Sequence, residues 1–223
     1  MSVAAGRPSA AEALERLKEV RAVAVVRARD GDEAVAIARA LAQGGLQAIE
    51  LTCTTPGVAQ ALVEARRHLE TQVLLGVGTI TMKEQLGVAI EADADFLVSP
   101  HLDPALFDAM LASRRLALPG VLTPSEVAAA LRAGASAVKL FPASMVGVGY
   151  LRALLAPFPE LQTVPTGGIT IATAREWLDA GAAAVGLGGE LLPKQLRDAG
   201  AWEEISRNAS LLLEQLQGRA VAA

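Results

Sequence analysis

The sequence predicts a single (β/α)8 barrel with an extra N-terminal helix, and three observations carry that expectation. Short β-branched runs alternate with Ala/Leu-rich helical segments along the 223 residues. Eight such alternations with apolar strands fit a parallel sheet, and eight units can close into a barrel. A helix–glycine–strand unit recurs from the second strand to the eighth, which favours the barrel over an open doubly wound sheet. Finally, no linker, low-complexity tract or charge block divides residues 1–223. One domain with short loose termini is therefore expected.

Each element has a local signal. Ser9 and Glu12 have the spacing of a capping box, in which hydroxyl and carboxylate satisfy free helix N–H groups, and they open a first helix. Strand 22–26 follows, then helix 32–43. Gly45 ends that helix and leads into strand 48–52. Helix 57–69 and strand 73–77 come next. Thr81 and Glu84 repeat the capping spacing before helix 82–92 and strand 96–99. Pro104 suits the first turn of helix 104–113, because proline lacks an N–H that would go unpaired there. Strand 116–119 precedes helix 124–133, which has Thr123, Pro124 and Glu126 at its start. Strand 137–141, helix 149–156, strand 163–165, helix 172–180, strand 184–187 and a closing helix at 201–217 complete the pattern.

Composition narrows the function. Hydrophobic residues make up 52% and aromatics only 3%, so Ala, Val and Leu must fill a large core. A net charge of −4 leaves no basic footprint, which argues against a nucleic-acid partner. No run approaches the ~20 apolar residues of a membrane span, and the N-terminus lacks the apolar core of a signal peptide. Cys53 is the only cysteine, so no intrachain disulfide is possible. A cytoplasmic protein with no membrane partner is expected.

Lys139 lies inside the apolar run 137–141. A lysine there is costly to bury as a cation, and a neutral amine is a nucleophile. Gly45, Gly134 and Gly181 each end a helical segment, and Glu50, Lys139 and Gly186 each stand five residues later. A carboxylate, an amine and a glycine thus hold equivalent positions on strands two, six and eight. Alternate strands of a barrel share interior layers, and strands two and six face each other. Lys139 and Glu50 should converge there. A structural ion pair is the plainer reading, but buried charges are poor sources of stability. As a catalytic pair, the amine would attack a ketone, lose water and form a protonated Schiff base. That cation draws electrons from the neighbouring carbon–carbon bond as it breaks, while Glu50 moves protons.

Glycine-rich turns supply an anion site. Pro165-Thr166-Gly167-Gly168 follows strand seven and Gly186-Leu187-Gly188-Gly189 follows strand eight. Loops at these two places often bind phosphate in barrels, because glycines let backbone N–H groups approach the oxygens. Each pair alone would only mark a tight turn; together they favour phosphate.

The motifs Ala24-Val25-Val26-Arg27, Ile49-Glu50-Leu51-Thr52, Gly76-Val77-Gly78-Thr79, Ser99-Pro100-His101, Leu118-Pro119-Gly120-Val121, Val138-Lys139-Leu140-Phe141-Pro142 and Pro165-Thr166-Gly167-Gly168 occur in this order. In combination they resemble the 2-keto-3-deoxy-6-phosphogluconate (KDPG) aldolase family, which includes 4-hydroxy-2-oxoglutarate aldolases. The resemblance runs from about Ala22 to the final helix. It implies a class I aldolase needing no metal or other cofactor, on a (β/α)8 barrel, usually a homotrimer. It gives the Schiff base to Lys139 and proton transfer to Glu50. Thr79 matches a pyruvate-contacting threonine, and Phe141 and Pro142 match the pocket wall. Pro100 joins the substrate contacts, and Thr166, Gly167 and Gly168 match the phosphate loop, with Gly188 and Gly189 opposite.

Two departures bear on substrate. Many members carry an arginine four residues after the glutamate; here Thr54 stands there. Arg27, at the end of strand one, resembles another branch's arrangement and is expected to take the substrate carboxylate instead. The phosphate-loop serine of many members is Gly189, which keeps an N–H and loses a hydroxyl. The implied reaction is reversible cleavage of KDPG to pyruvate and glyceraldehyde 3-phosphate. The same chemistry on 4-hydroxy-2-oxoglutarate, giving glyoxylate, or on the galactonate epimer is the nearest alternative. A non-catalytic metabolite-binding or assembly barrel would be marked by loss of the lysine or glutamate, and both are present.

The remaining candidates read as structural. Two histidines and one cysteine give a zinc site few ligands. His68 is expected at the surface and His101 in a loop. No base accompanies Cys53 in sequence. Trp177 and Trp202 should pack helices, and Arg66, Arg67, Arg114 and Arg115 read as solvated faces.

Overall fold

The computed structural model describes residues 7–217, so the chain ends expected to be loose lie outside the described residues. Helix α1 (Ala10–Val20) leads into β1 (Ala22–Val26), and helix and strand then alternate as α2 (Gly31–Gln43), β2 (Ala48–Thr52), α3 (Val58–His68), β3 (Leu74–Gly78), α4 (Lys83–Glu91), β4 (Phe96–Val98) and α5 (Pro104–Ala112). The second half runs β5 (Leu116–Leu118), β6 (Gly120–Val121), α6 (Pro124–Arg132), β7 (Val138–Leu140), α7 (Gly147–Leu155), β8 (Thr163–Pro165), α8 (Ile171–Asp179), β9 (Val185–Leu187), α9 (Lys194–Asp198) and α10 (Trp202–Leu216). The expected fifth strand is divided at Pro119, which has no N–H to give a ladder. Lys139 therefore lies on β7 and Gly186 on β9.

Every strand pair is parallel. A six-stranded sheet has the order β5-β4-β3-β2-β1-β9, and a three-stranded sheet the order β6-β7-β8. Thr166, just past β8, forms a parallel bridge with Gly186. The curled sheet sorts its residues with period two, as alternating Cβ directions require. Ile49, Leu51, Leu75, Val77, Leu97, Val138, Leu140 and Leu187 join the core beneath the helices. Their neighbours Ala48, Leu74, Phe96, Val98, Ala137 and Ala184 form a second, inner core, closed at the strand starts by Ala13 and Leu17 of α1. Ala, Val and Leu make up most of that inner core, with Phe96 as its one aromatic.

The expected capping boxes are present at Ser9/Glu12 and Thr123/Glu126. The one expected at Thr81/Glu84 is not: α4 has Met82 as its N-cap, and Gln85 accepts from both the N–H and the hydroxyl of Thr81. Asp30, Asp103 and Thr170 cap α2, α5 and α8. Two arginines expected in solvent are structural. Arg66 donates to the buried Asp95 carboxylate at 2.6 Å and to the Val73 carbonyl. Arg115 is buried and donates to the carbonyls of Ala94 and Ile90 and to Asp93. His68 pairs with Glu64 at the surface, and Trp177 is buried under the helices.

Candidate active site

Glu50 and Lys139 meet on the inner face of the sheet. Each is the central inward residue of its strand, and they are only 3% and 5% exposed. Lys139 Nζ lies 3.9 Å from Glu50 Oε1, close enough for attraction but too long for a hydrogen bond. Glu50 Oε1 has no hydrogen-bond partner among the described residues. Burial pushes the Glu50 carboxyl above its ordinary range, while the charges of Lys139 and Arg27 pull partly the other way. A carboxyl held this way exchanges protons nearer neutral pH than a surface glutamate. Lys139 Nζ also stands 5.2 Å from the centre of the Phe141 ring.

Glycines make this geometry possible. A Cβ on Gly78 would lie 1.8 Å from Glu50 Oε1, so no other residue on β3 leaves room for the carboxylate. Gly186, the third equivalent position, faces Thr166 in the same way: its Cβ would lie 2.3 Å from the Thr166 hydroxyl. Beneath the pair, Glu50, Lys139, Thr166 and Gly186 border a void of about 10 Å³.

Above the pair opens a cavity of about 610 Å³ at the strand C-termini. Lys139 forms part of its floor, and Thr79, Pro100 and Phe141 part of its wall. Thr79 has φ +57°, a left-handed conformation unusual for a β-branched residue. The Thr166-Gly167-Gly168 turn and the Gly188-Gly189 turn also line the cavity. Gly168 has φ +74°, and a Cβ there would press on Ser144 at 2.5 Å. Arg27 is exposed at the end of β1 and also lines the cavity. Of the expected site residues, only Glu50 and Pro142 do not border this cavity: Glu50 lies behind Lys139, and Phe141 alone of the Phe141-Pro142 pair forms wall.

Several set-aside residues stay outside. Thr54 is exposed, shares a 2.9 Å hydrogen bond with Thr52, and does not line the cavity. His101 turns back on Ser99. Cys53 has its pKa pushed up to about 11 by burial and by the nearby Glu50 charge, so it remains a thiol at neutral pH. Among the described residues no three His, Cys, Asp or Glu side chains gather as a metal site, and no helix is long and apolar enough to cross a membrane.

Residues 13–208 match the KDPG and KHG aldolase family. The chain belongs to that family. The 2-dehydro-3-deoxy-phosphogluconate aldolase of Haemophilus influenzae is 33% identical over 195 residues, 87% of this chain and 92% of the relative. The 2-dehydro-3-deoxy-6-phosphogalactonate aldolase of Escherichia coli is 31% identical over 170 residues, 76% of this chain and 83% of the relative. Among solved structures, the KDPG aldolase of Legionella pneumophila, with pyruvate captured as a covalent carbinolamine, superposes with a TM-score of 0.83 at 28% identity. The match covers 89% of this chain and 97% of that one.

The cavity also contains residues that the sequence motifs did not single out. Glu190 follows the second glycine turn, and Arg197 projects from the short helix α9. Five residues are too few to show a periodic face, so nothing in the pattern of residues 194–198 marks Arg197 as a site residue.

Proposed function

We propose that this member of the family is a class I aldolase that reversibly cleaves KDPG to pyruvate and glyceraldehyde 3-phosphate. The observation that carries the reading is the Lys139–Glu50 pair, 3.9 Å apart at the foot of a cavity, with a carboxylate oxygen left unbonded. Lys139 Nζ attacks the C2 ketone of the substrate to give a carbinolamine. Glu50 protonates the departing hydroxyl, which leaves as water, and a protonated Schiff base remains. Glu50, now ionised, takes the proton from the C4 hydroxyl. The C3–C4 electrons flow into the Schiff base, the aldehyde leaves, and Glu50 returns the proton to the enamine carbon. Hydrolysis then frees pyruvate and the amine. No metal or cofactor enters these steps. The carbinolamine captured in the Legionella pneumophila relative is the kind of adduct the first step forms.

Thr79, Pro100 and Phe141 would hold the pyruvate half, with Arg27 on its carboxylate. Backbone N–H groups of the Thr166–Gly168 and Gly188–Gly189 turns would hold the phosphate. The same chemistry on 4-hydroxy-2-oxoglutarate, which carries no phosphate, is the alternative with an observation in its favour, whereas the galactonate epimer keeps the phosphate and makes the same demand on that end. Gly189 brings no hydroxyl to the phosphate end, and Glu190 brings a negative charge there. The Thr166–Gly186 bridge, and the mere proline between β5 and β6, support closure of the two sheets into one (β/α)8 barrel preceded by α1. A single domain, assembled as a homotrimer in the cytoplasm, completes the proposal. Pyruvate release from the three substrates tests it. The highest kcat/KM is expected on KDPG, with none from Lys139→Ala on any. Release from none by wild type would favour a binding barrel.

A further inference from the structure

We propose that Arg197 anchors the distal anion of the substrate and thereby sets the preference for a phosphorylated aldehyde; the proposal rests on the aldolase reading above. Four charged side chains line the cavity: Arg27, Lys139, Glu190 and Arg197. Lys139 is paired with Glu50. Arg27, at the end of β1 beside the strand that carries Glu50, is assigned above to the pyruvate carboxylate. The Glu190 carboxylate accepts from the Ile171 N–H at the start of α8, so it repels an anion and occupies one of the donors at that end. Arg197 is the remaining cation, and it comes from the segment directly following the Gly188-Gly189 turn, where the hydroxyl donor is missing.

Its geometry is that of a preset anchor. Arg197 Nε donates to the Leu192 carbonyl at 3.2 Å and Nη1 to the Arg27 carbonyl at 3.3 Å. Nη1 also lies 3.8 Å from Oε1 of the buried Glu33, whose other oxygen accepts the Arg29 N–H at 2.6 Å. Nη2 takes part in none of these contacts. A guanidinium fixed along one edge keeps a free donor without having to lose much rotamer freedom on binding, and it suits phosphate geometry. The competing role is purely mechanical, fastening α9 to the loop after β1. That role would disturb both halves of the substrate alike.

The condensation direction separates the two, because pyruvate and glyceraldehyde 3-phosphate have separate KM values there. Replacing Arg197 by Gln should raise the KM for glyceraldehyde 3-phosphate roughly tenfold or more, as loss of a charge-assisted hydrogen bond does. The KM for pyruvate should move much less, and Arg27→Gln should give the opposite split. The double variant Glu33→Gln/Arg197→Gln removes both charges together, so no buried carboxylate is left unpaired if the single variant fails to fold. An equal rise in both KM values, or no rise in either, overturns the proposal. So does a wild type that forms a pyruvate adduct on Lys139 yet ignores glyceraldehyde 3-phosphate. Absence of that adduct from wild type would instead sink the aldolase reading itself.

Discussion

Two carboxylates, Asp95 and Glu50, are each 3% exposed, and the fold treats them in opposite ways. Asp95 lies at the strand starts, near the end closed by α1. Its Oδ2 accepts from Arg66 at 2.6 Å and from the Leu75 N–H at 2.8 Å. Glu50 lies midway along β2 beneath the open end, and its Oε1 accepts from nothing while Lys139 Nζ stands beyond hydrogen-bond reach. A buried polar group normally finds a partner, because leaving it unbonded costs roughly 1–3 kcal/mol. The closed end satisfies its charges, so that removing one partner there costs stability. The open end leaves a carboxylate oxygen and an amine available, which is what proton transfer and nucleophilic attack need.

The largest expected effect falls on the open end. Glu50→Gln should lower kcat/KM about 10²–10⁴-fold, the usual worth of a general acid–base, with its fold intact by circular dichroism. A loss under tenfold would mean that another group moves the protons. Gly78→Ala should cost about 10²-fold, since the new methyl occupies the carboxylate's place and shifts it by an ångström or more. Unchanged turnover would show that Glu50 need not sit across β3.

At the closed end the balance reverses. Asp95→Ala should cost roughly 2–3 kcal/mol in denaturant unfolding, less than a fully enclosed pair because Arg66 reaches solvent. Turnover per folded molecule should stay the same; a proportional loss would couple the two ends. The smallest effect is a pH dependence. Glu50 has a raised pKa in the fold, so its contribution to stability is fully present below the ordinary value of 4.5 and is lost as pH rises through the folded value. The stability of wild type relative to Glu50→Gln should therefore fall as pH rises through that window. A difference that stays flat would mean that burial does not govern this carboxyl.

The two ends were unequally legible in the sequence. The five-residue step from Gly45, Gly134 and Gly181 to Glu50, Lys139 and Gly186 reports a repeated local unit, and local units survive in a linear pattern. The glycine turns were legible for the same reason. Asp95 and Arg66 were not, because their partnership joins residues far apart in the chain, and a long arginine on a helix looks solvated until its partner is known. Thr81 had the right spacing for a capping box, yet Gln85 competes with Glu84 for its donors, and spacing alone does not choose between them. Apolar patterning joins 116–119 into one strand, but Pro119 lacks the N–H that a continuous ladder needs, so the strand divides there. Arg197 sits on one turn of helix with no pattern around it.

Trapping with borohydride tests the role of the open end most directly. Wild type and Lys139→Ala are incubated with pyruvate and sodium borohydride, and their intact masses are measured. The expected result is one reduced, pyruvate-sized adduct on wild type and none on the variant. A folded wild type that gains no mass would contradict the Schiff-base mechanism and leave the Lys139–Glu50 pair without its chemistry.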